Sequence, residues 1–107
     1  MNPKPGQWSQ QDPHICPDRW REYVAACCRA VDAQVHAAAC EGFVTRVREA
    51  WTLAVAMSAQ YEPAMPVAAS LRAAFDSCTQ ALQQAKQDEI DAVFALDQMR
   101  QEGPCRN

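Results

Sequence analysis

The sequence predicts an all-α protein, in which two long helices form an antiparallel hairpin that dimerises into a helical bundle. Its 107 residues are the length of one domain, and 49% of them are hydrophobic. Alanine accounts for 20 residues, whereas Leu, Ile, Val and Phe together number only 17. No strand alternation is visible, and the common residues Ala, Gln, Arg, Glu and Leu favour helices. So few large apolar side chains suggest a small fold that gains burial by binding another chain.

The chain divides into three segments. An N-terminal arm over 1–17 holds four of the seven prolines, so an extended, polyproline-like conformation is expected there. A single helical domain is expected over 18–103, and a short tail over 104–107. Pro17 suits the first position of a helix because its missing N–H would have no partner inside the helix.

The first helix is expected to run from about 18 to 61. Side chains at steps of three and four indicate an amphipathic stripe: Trp20, Val24, Cys27, Val31 and Val35. A row at steps of four continues it: Val31, Val35, Ala39, Phe43, Val47, Trp51 and Val55. The row passes through Gly42, which would either end a first helix as its cap or lie inside one long helix, straight or kinked. No polar loop residues follow Gly42, which favours the single helix.

A proline-rich turn separates the helices. In the segment Glu62-Pro63-Ala64-Met65-Pro66, each residue before a proline is disfavoured in the helical region, so Glu62 and Met65 should be extended. Pro66 then suits the first position of the second helix. That helix should end at Gly103-Pro104, a capping glycine followed by a proline.

The second helix carries a coiled-coil-like seam, whose positions alternate steps of four and three. The nine positions are Leu71, Phe75, Cys78, Leu82, Ala85, Glu89, Ala92, Leu96 and Met99. Glu89 is the one charged member, and it is either a carboxylate that reaches water at the seam edge or a polar residue that fixes register or partner choice.

Three further apolar residues, Ile90, Val93 and Phe94, widen the stripe of the second helix beyond a two-helix seam. A homodimer that forms a four-helix bundle would cover them. The residues expected in the seam and dimer contact are Leu71, Phe75, Leu82, Glu89, Ile90, Phe94 and Leu96.

Several function classes are disfavoured by composition. The three glycines are far apart, so no phosphate-binding loop is expected, and no serine has a nucleophile-elbow context. We therefore expect no enzyme and no cofactor. The ten basic residues do not cluster in the sequence and are outnumbered by 13 acidic residues, which argues against nucleic-acid binding. No apolar run reaches the length of a membrane span, and the N-terminus lacks a secretion signal, so a cytoplasmic location is expected.

The six cysteines contain no Cys-x-x-Cys motif, so no zinc ribbon and no metal are expected. Cys28 lies near Arg21 and Asp32 in the sequence and is either a reactive thiol or an inert surface thiol. His36 and Cys40 are one helical turn apart and could share one metal ion, with His14 and Cys16 of the arm as further ligands. Independent surface side chains are the alternative. A thiol- or zinc-responsive sensor is therefore a second hypothesis, and a secretion chaperone or adaptor is a third.

Recognition of another protein is the function that the remaining features favour. Aromatic and arginine residues dominate the energetic centres of protein interfaces. Such a group lies about midway along the first helix, where Arg46 is beside three members of the long row: Phe43, Val47 and Trp51. We expect this group to bind a protein partner, although any one of its aromatic or aliphatic residues could instead belong to the core.

The short, acidic, Ala- and Arg-rich, all-helical chain without a catalytic motif resembles the small quorum-sensing anti-activators. Members of that family bind LuxR-type receptor transcription factors and keep them off DNA. The resemblance is one of size and helical pattern along the whole chain, and no family residue is carried over to a position here. It implies inhibition by protein–protein contact, with a transcription factor as the partner and a dimer as the acting form.

Overall fold

A computed structural model describes residues 16–103, which form two helices. α1 spans Pro17–Ser58 and α2 spans Ala64–Glu102. The described residues contain no strand, so the all-α class is confirmed. The predicted arm, as far as Ile15, and the tail over 104–107 lie outside the described residues. Neither helix has a stretch that is long and apolar enough to cross a bilayer.

Both helices contribute to two compact units. Within residues 16–103, unit 1 contains 16–34 and 88–103, and unit 2 contains Val35–Gln87 with the turn between the helices. In unit 1, Arg19 forms an ion pair with Glu102, and Arg100 Nε donates a hydrogen bond to Tyr23 Oη at 3.3 Å. As the α1 residue number rises in these contacts, the α2 number falls. The two helical segments of unit 1 are therefore antiparallel.

The helix boundaries follow the prolines. α1 begins at Pro17, as predicted, and its first turn closes with a 2.9 Å hydrogen bond from Trp20 N to Cys16 O. It ends at Ser58, earlier than expected. The prediction that Met65 is extended was wrong, because α2 already begins at Ala64. Pro66 is tolerated at the third helical position because the first N–H groups of a helix have no intrahelical acceptor.

The two described glycines of the helical region have different roles. Gly42 lies inside α1, so the single helix favoured from the sequence is confirmed. Gly103 has a φ of 85°, and its N–H donates to Met99 O at 3.1 Å, which is the predicted left-handed cap of α2.

This difference predicts opposite effects of the same substitution. A Cβ at Gly42 would meet no atom within 4 Å, so Gly42→Ala should raise the free energy of unfolding by about 1 kcal/mol through helix propensity. Gly103→Ala should lower it by about 1 kcal/mol, because an L side chain is strained at positive φ. Urea titrations followed by circular dichroism measure both, and a shift of the same sign in both variants would contradict the assignment.

The seam of α2 is the helix face that is withdrawn from solvent. Ala85 is buried, with 2% of its surface exposed, and the other eight seam positions from Leu71 to Met99 are half-buried. The heptad spacing selects this same face. Ile90, Val93 and Phe94 lie outside it and are exposed.

The inward face of α1 differs from the predicted stripe and row. Its seam positions also alternate steps of four and three, are all buried or half-buried, and are mostly small: Arg19, Tyr23, Ala26, Ala30, Ala33, Ala37, Cys40, Val44, Val47, Trp51, Ala54 and Ser58. Three further residues beside these positions are also half-buried, namely Thr45 and the stripe members Trp20 and Cys27. Most large members of the predicted stripe and row are exposed instead: Val24, Val31, Val35, Phe43 and Val55. A step of four advances about 40° beyond a full turn, so a row of such steps winds off any single face.

Candidate partner-binding surfaces

The four residues predicted to bind a partner do not form one exposed surface. Phe43 is 55% exposed, and Arg46 is also exposed. Val47 is only 8% exposed, and Trp51 is half-buried with its ring centroid 5.6 Å from that of Phe75. Val47 and Trp51 therefore belong to the packed seam of unit 2, and only Phe43 and Arg46 can reach another molecule without unfolding.

A second group of exposed apolar residues lies on the same side of unit 2 as Phe43. Leu53 and Met57 follow Phe43 along one side of α1, and Val67 occupies the matching side of α2, directly before a seam position. The exposed fractions of these three side chains are 62%, 47% and 53%. We call the surface formed by Phe43, Leu53, Met57 and Val67 the unit-2 face.

Unit 1 has an exposed apolar surface of its own. Val24 and Val31 of α1 are 41% and 57% exposed, and Ile90, Val93 and Phe94 of α2 are 61%, 41% and 62% exposed. We call these five residues the unit-1 face. Together they amount to several hundred Å² of apolar surface, which in monomeric proteins commonly marks an interaction site.

The other side of unit 1 carries several charged residues. A groove of about 400 Å³ runs there, and among its lining residues are Arg19, Glu22, Arg29 and Glu102. Arg19 is buried, and its guanidinium contacts both Glu22, at 2.9 Å, and Glu102. These ion pairs tie the start of α1 to the end of α2, so we assign the groove a structural role.

The residues predicted for the seam and dimer contact fall into two sets. Five of them face the neighbouring helical segment and are half-buried: Leu71, Phe75, Leu82, Glu89 and Leu96. The other two, Ile90 and Phe94, are exposed on the unit-1 face. Only these two are available to a second chain without opening the seam.

Glu89 is a half-buried residue and the one charged member of the α2 seam. Its carboxylate takes part in no hydrogen bond or ion pair with residues 16–103. An apolar side chain of similar size would gain burial against the seam that an ionised carboxylate does not.

Glu89→Leu is therefore expected to raise the free energy of unfolding by about 1 kcal/mol. Glu49→Leu, at an exposed position of α1, is the matched control and should change it by less than about 0.5 kcal/mol. Urea unfolding measures the free energy of unfolding of both variants. A clear loss of stability in Glu89→Leu would mean that the carboxylate is structurally paired.

The described cysteines are all free thiols: Cys16, Cys27, Cys28, Cys40 and Cys78. Cys78 is half-buried in the seam, and its Sγ donates a hydrogen bond to Phe75 O at 3.3 Å. Cys40 Sγ lies 3.7 Å from His36 Nε2, so these two side chains, one helical turn apart in the sequence, are adjacent on α1. Within residues 16–103, no three His, Cys, Asp or Glu side chains converge on one possible metal site. His14, a further predicted ligand, lies outside the described residues.

The sequence did not single out several residues of the two faces, namely Val24, Val31, Leu53, Met57 and Val67, as contact residues. A signal for them was available. Each is a large apolar residue at a heptad position outside the seam of its helix. Packing between the two helices of this chain does not require an apolar residue at such a position.

Comparisons with known proteins give no relative from which a site could be transferred. No protein family, curated protein or solved structure matches this chain.

Proposed function

We propose that this chain is a small regulatory protein that binds and inhibits a protein partner. The partner class implied by the resemblance noted above is a LuxR-type quorum-sensing transcription factor, so that the chain would act as an anti-activator. The observation that carries the proposal is the unit-2 face, on which four large apolar side chains are between 47% and 62% exposed.

The chemistry of the unit-2 face suits a helical partner. Phe43 supplies a large aromatic anchor, and Arg46, one turn away from it on the outer surface, is exposed and able to pair with a carboxylate. Ser70 and Ser77 are the exposed neighbours on α2. The complementary surface would be the apolar side of an amphipathic helix with an acidic residue at its edge.

The proposal is tested with a LuxR-type receptor from the source cell bound to fluorescently labelled operator DNA. Adding the chain should release the DNA and lower its fluorescence anisotropy. Phe43→Asp should weaken the inhibition by about 30-fold, which corresponds to the ~2 kcal/mol typical of a central interface residue. Val35→Asp is the matched control, since Val35 is 63% exposed on α1 but lies outside the unit-2 face.

Release of the receptor from DNA tests the proposed partner class, and the comparison of the two variants tests the assigned surface. If no LuxR-type receptor is released from DNA or forms a complex with the chain, the proposed partner class is wrong. If the receptor is inhibited equally by wild type, Phe43→Asp and Val35→Asp, the inhibition is real and the unit-2 face is the wrong surface.

A second candidate function is a thiol- or zinc-responsive sensor, favoured by the 3.7 Å separation of Cys40 Sγ and His36 Nε2. This distance fits two neighbouring ligands of a tetrahedral zinc ion. A zinc titration against a colorimetric chelator should then show binding that Cys40→Ser removes and that Cys28→Ser, at an exposed thiol, leaves intact. Equal zinc binding by both variants would exclude the pair as the sensing site.

A further inference from the structure

We infer that the unit-1 face binds a second copy of this chain through a two-fold symmetric contact. The contact residues are Val24, Val31, Ile90, Val93 and Phe94. This inference does not rest on the proposed function, because the partner was assigned to the unit-2 face and the second copy uses different residues.

Val24, Val31, Ile90 and Val93 lie on one side of unit 1, and Phe94 adjoins them on the outer surface of α2, one helical turn from Ile90. Arg100 directly follows the seam residue Met99, and its Nε donates a hydrogen bond to Tyr23 Oη at 3.3 Å, which raises the pKa of Arg100. Cys27 likewise directly follows a seam residue, Ala26. In an antiparallel pair of helices, the residues that directly follow such seam positions lie on the same side of the pair, so Arg100 and Cys27 share one side of unit 1.

Equivalent heptad positions continue this side of unit 1 along both helices. Val93 follows the seam residue Ala92 just as Cys27 follows Ala26, and the antiparallel contacts place these two residues at about the same level. By the same register, Val31 lies level with Ile90, one helical turn further along. Two helices thus contribute to one continuous apolar surface, as in half of a four-helix bundle.

The area that unit 1 buries by itself is small, which favours a second copy as the occupant. Among residues 16–103, the buried apolar residues of unit 1 are Ala26 and Ala30, and no large side chain is completely buried. Leu96 and Met99 are only half-buried in the seam, and the five large apolar residues of the unit-1 face are exposed. A homodimer contact that adds a polar rim to this face would approach the roughly 800 Å² per partner of a stable interface.

The charges on this side of unit 1 are compatible with self-association. The five residues of the unit-1 face carry no ionised group, so a two-fold contact would not bury like charges against each other. At one end of the face, Asp97 and Arg100 supply both signs, and Asp97 contributes to the raised pKa of Arg100. In a two-fold contact, each of these charges can meet its opposite on the second copy.

Sedimentation equilibrium of the full chain tests the inference. At micromolar concentration, wild type should show twice the chain mass of 11.9 kDa. Phe94→Glu should raise the dimer dissociation constant at least 100-fold and give the single-chain mass. Phe43→Glu is the matched control, because Phe43 is similarly exposed, at 55% against 62%, and lies on the unit-2 face; its mass should stay that of a dimer.

Helicity measured by circular dichroism accompanies each sample. Val31→Ser is a milder second variant on α1, and it should weaken the dimer about tenfold while leaving helix content unchanged, which keeps the inference testable if Phe94→Glu fails to fold. The inference is overturned if wild type sediments as a single chain at 100 µM or if both unit-1 variants remain folded dimers with wild-type affinity. It is also overturned if Phe43→Glu is the variant that dissociates.

Discussion

Val47→Asp is expected to unfold unit 2. Val47 is 8% exposed at a seam position of α1, so an aspartate there would have to lose its water without gaining a partner. Substitutions that bury an unpaired charge belong to the most damaging class and cost more than about 4 kcal/mol. Far-ultraviolet circular dichroism should show a large loss of helix at 25 °C, and urea unfolding should show no cooperative transition.

Phe43→Asp, four residues earlier on the same helix, is the matched control for this experiment. Because Phe43 is 55% exposed, its replacement by aspartate should leave helix content and the urea midpoint close to those of wild type. A folded Val47→Asp protein would show that the seam of unit 2 is not packed at this point. Unfolding of both variants would instead show that the unit-2 face is part of the core.

The second helix could be predicted almost completely from sequence because its seam contains large residues. The heptad is clear from four large residues: Leu71, Phe75, Leu82 and Leu96. Their spacing alone also assigns Ala85 and Ala92 to the seam. The end of the helix could also be predicted from the sequence, because Gly103 is the residue type that a left-handed cap favours.

The first helix was predicted as a helix but with the wrong inward face. Its real seam is rich in alanine, including Ala26, Ala30 and Ala37, and a search for large apolar side chains overlooks such positions. Small residues suit a seam because they allow two helices to approach closely. The larger residues Val31 and Val35 were therefore assigned to the amphipathic stripe, although both are exposed in the structure.

The same physical reason limited the prediction of the candidate site. Phe43 and Val47 are both apolar and one helical turn apart, so the sequence gives no reason to assign one to the surface and the other to the core. Their separation depends on the register of α1 against α2, which is set by tertiary contacts such as that between Trp51 and Phe75. Arg46 and Phe43 were identified as surface candidates, whereas the other apolar residues of the unit-2 face were not: Leu53, Met57 and Val67.

Trp51→Ala is expected to have the second-largest effect, lowering the free energy of unfolding by about 3 kcal/mol through loss of buried area and an unfilled space in the seam. The ring of Trp51 lies 5.6 Å from that of Phe75, tilted by 31°, so part of this loss should depend on Phe75. A double-mutant cycle with Phe75→Ala should give a coupling of about 1 kcal/mol. Phe43→Ala, at an exposed aromatic residue on the same helix, should cost less than about 0.5 kcal/mol and show no coupling to Phe75→Ala. Additive effects of Trp51→Ala and Phe75→Ala would mean that the two rings do not hold the helices of unit 2 together.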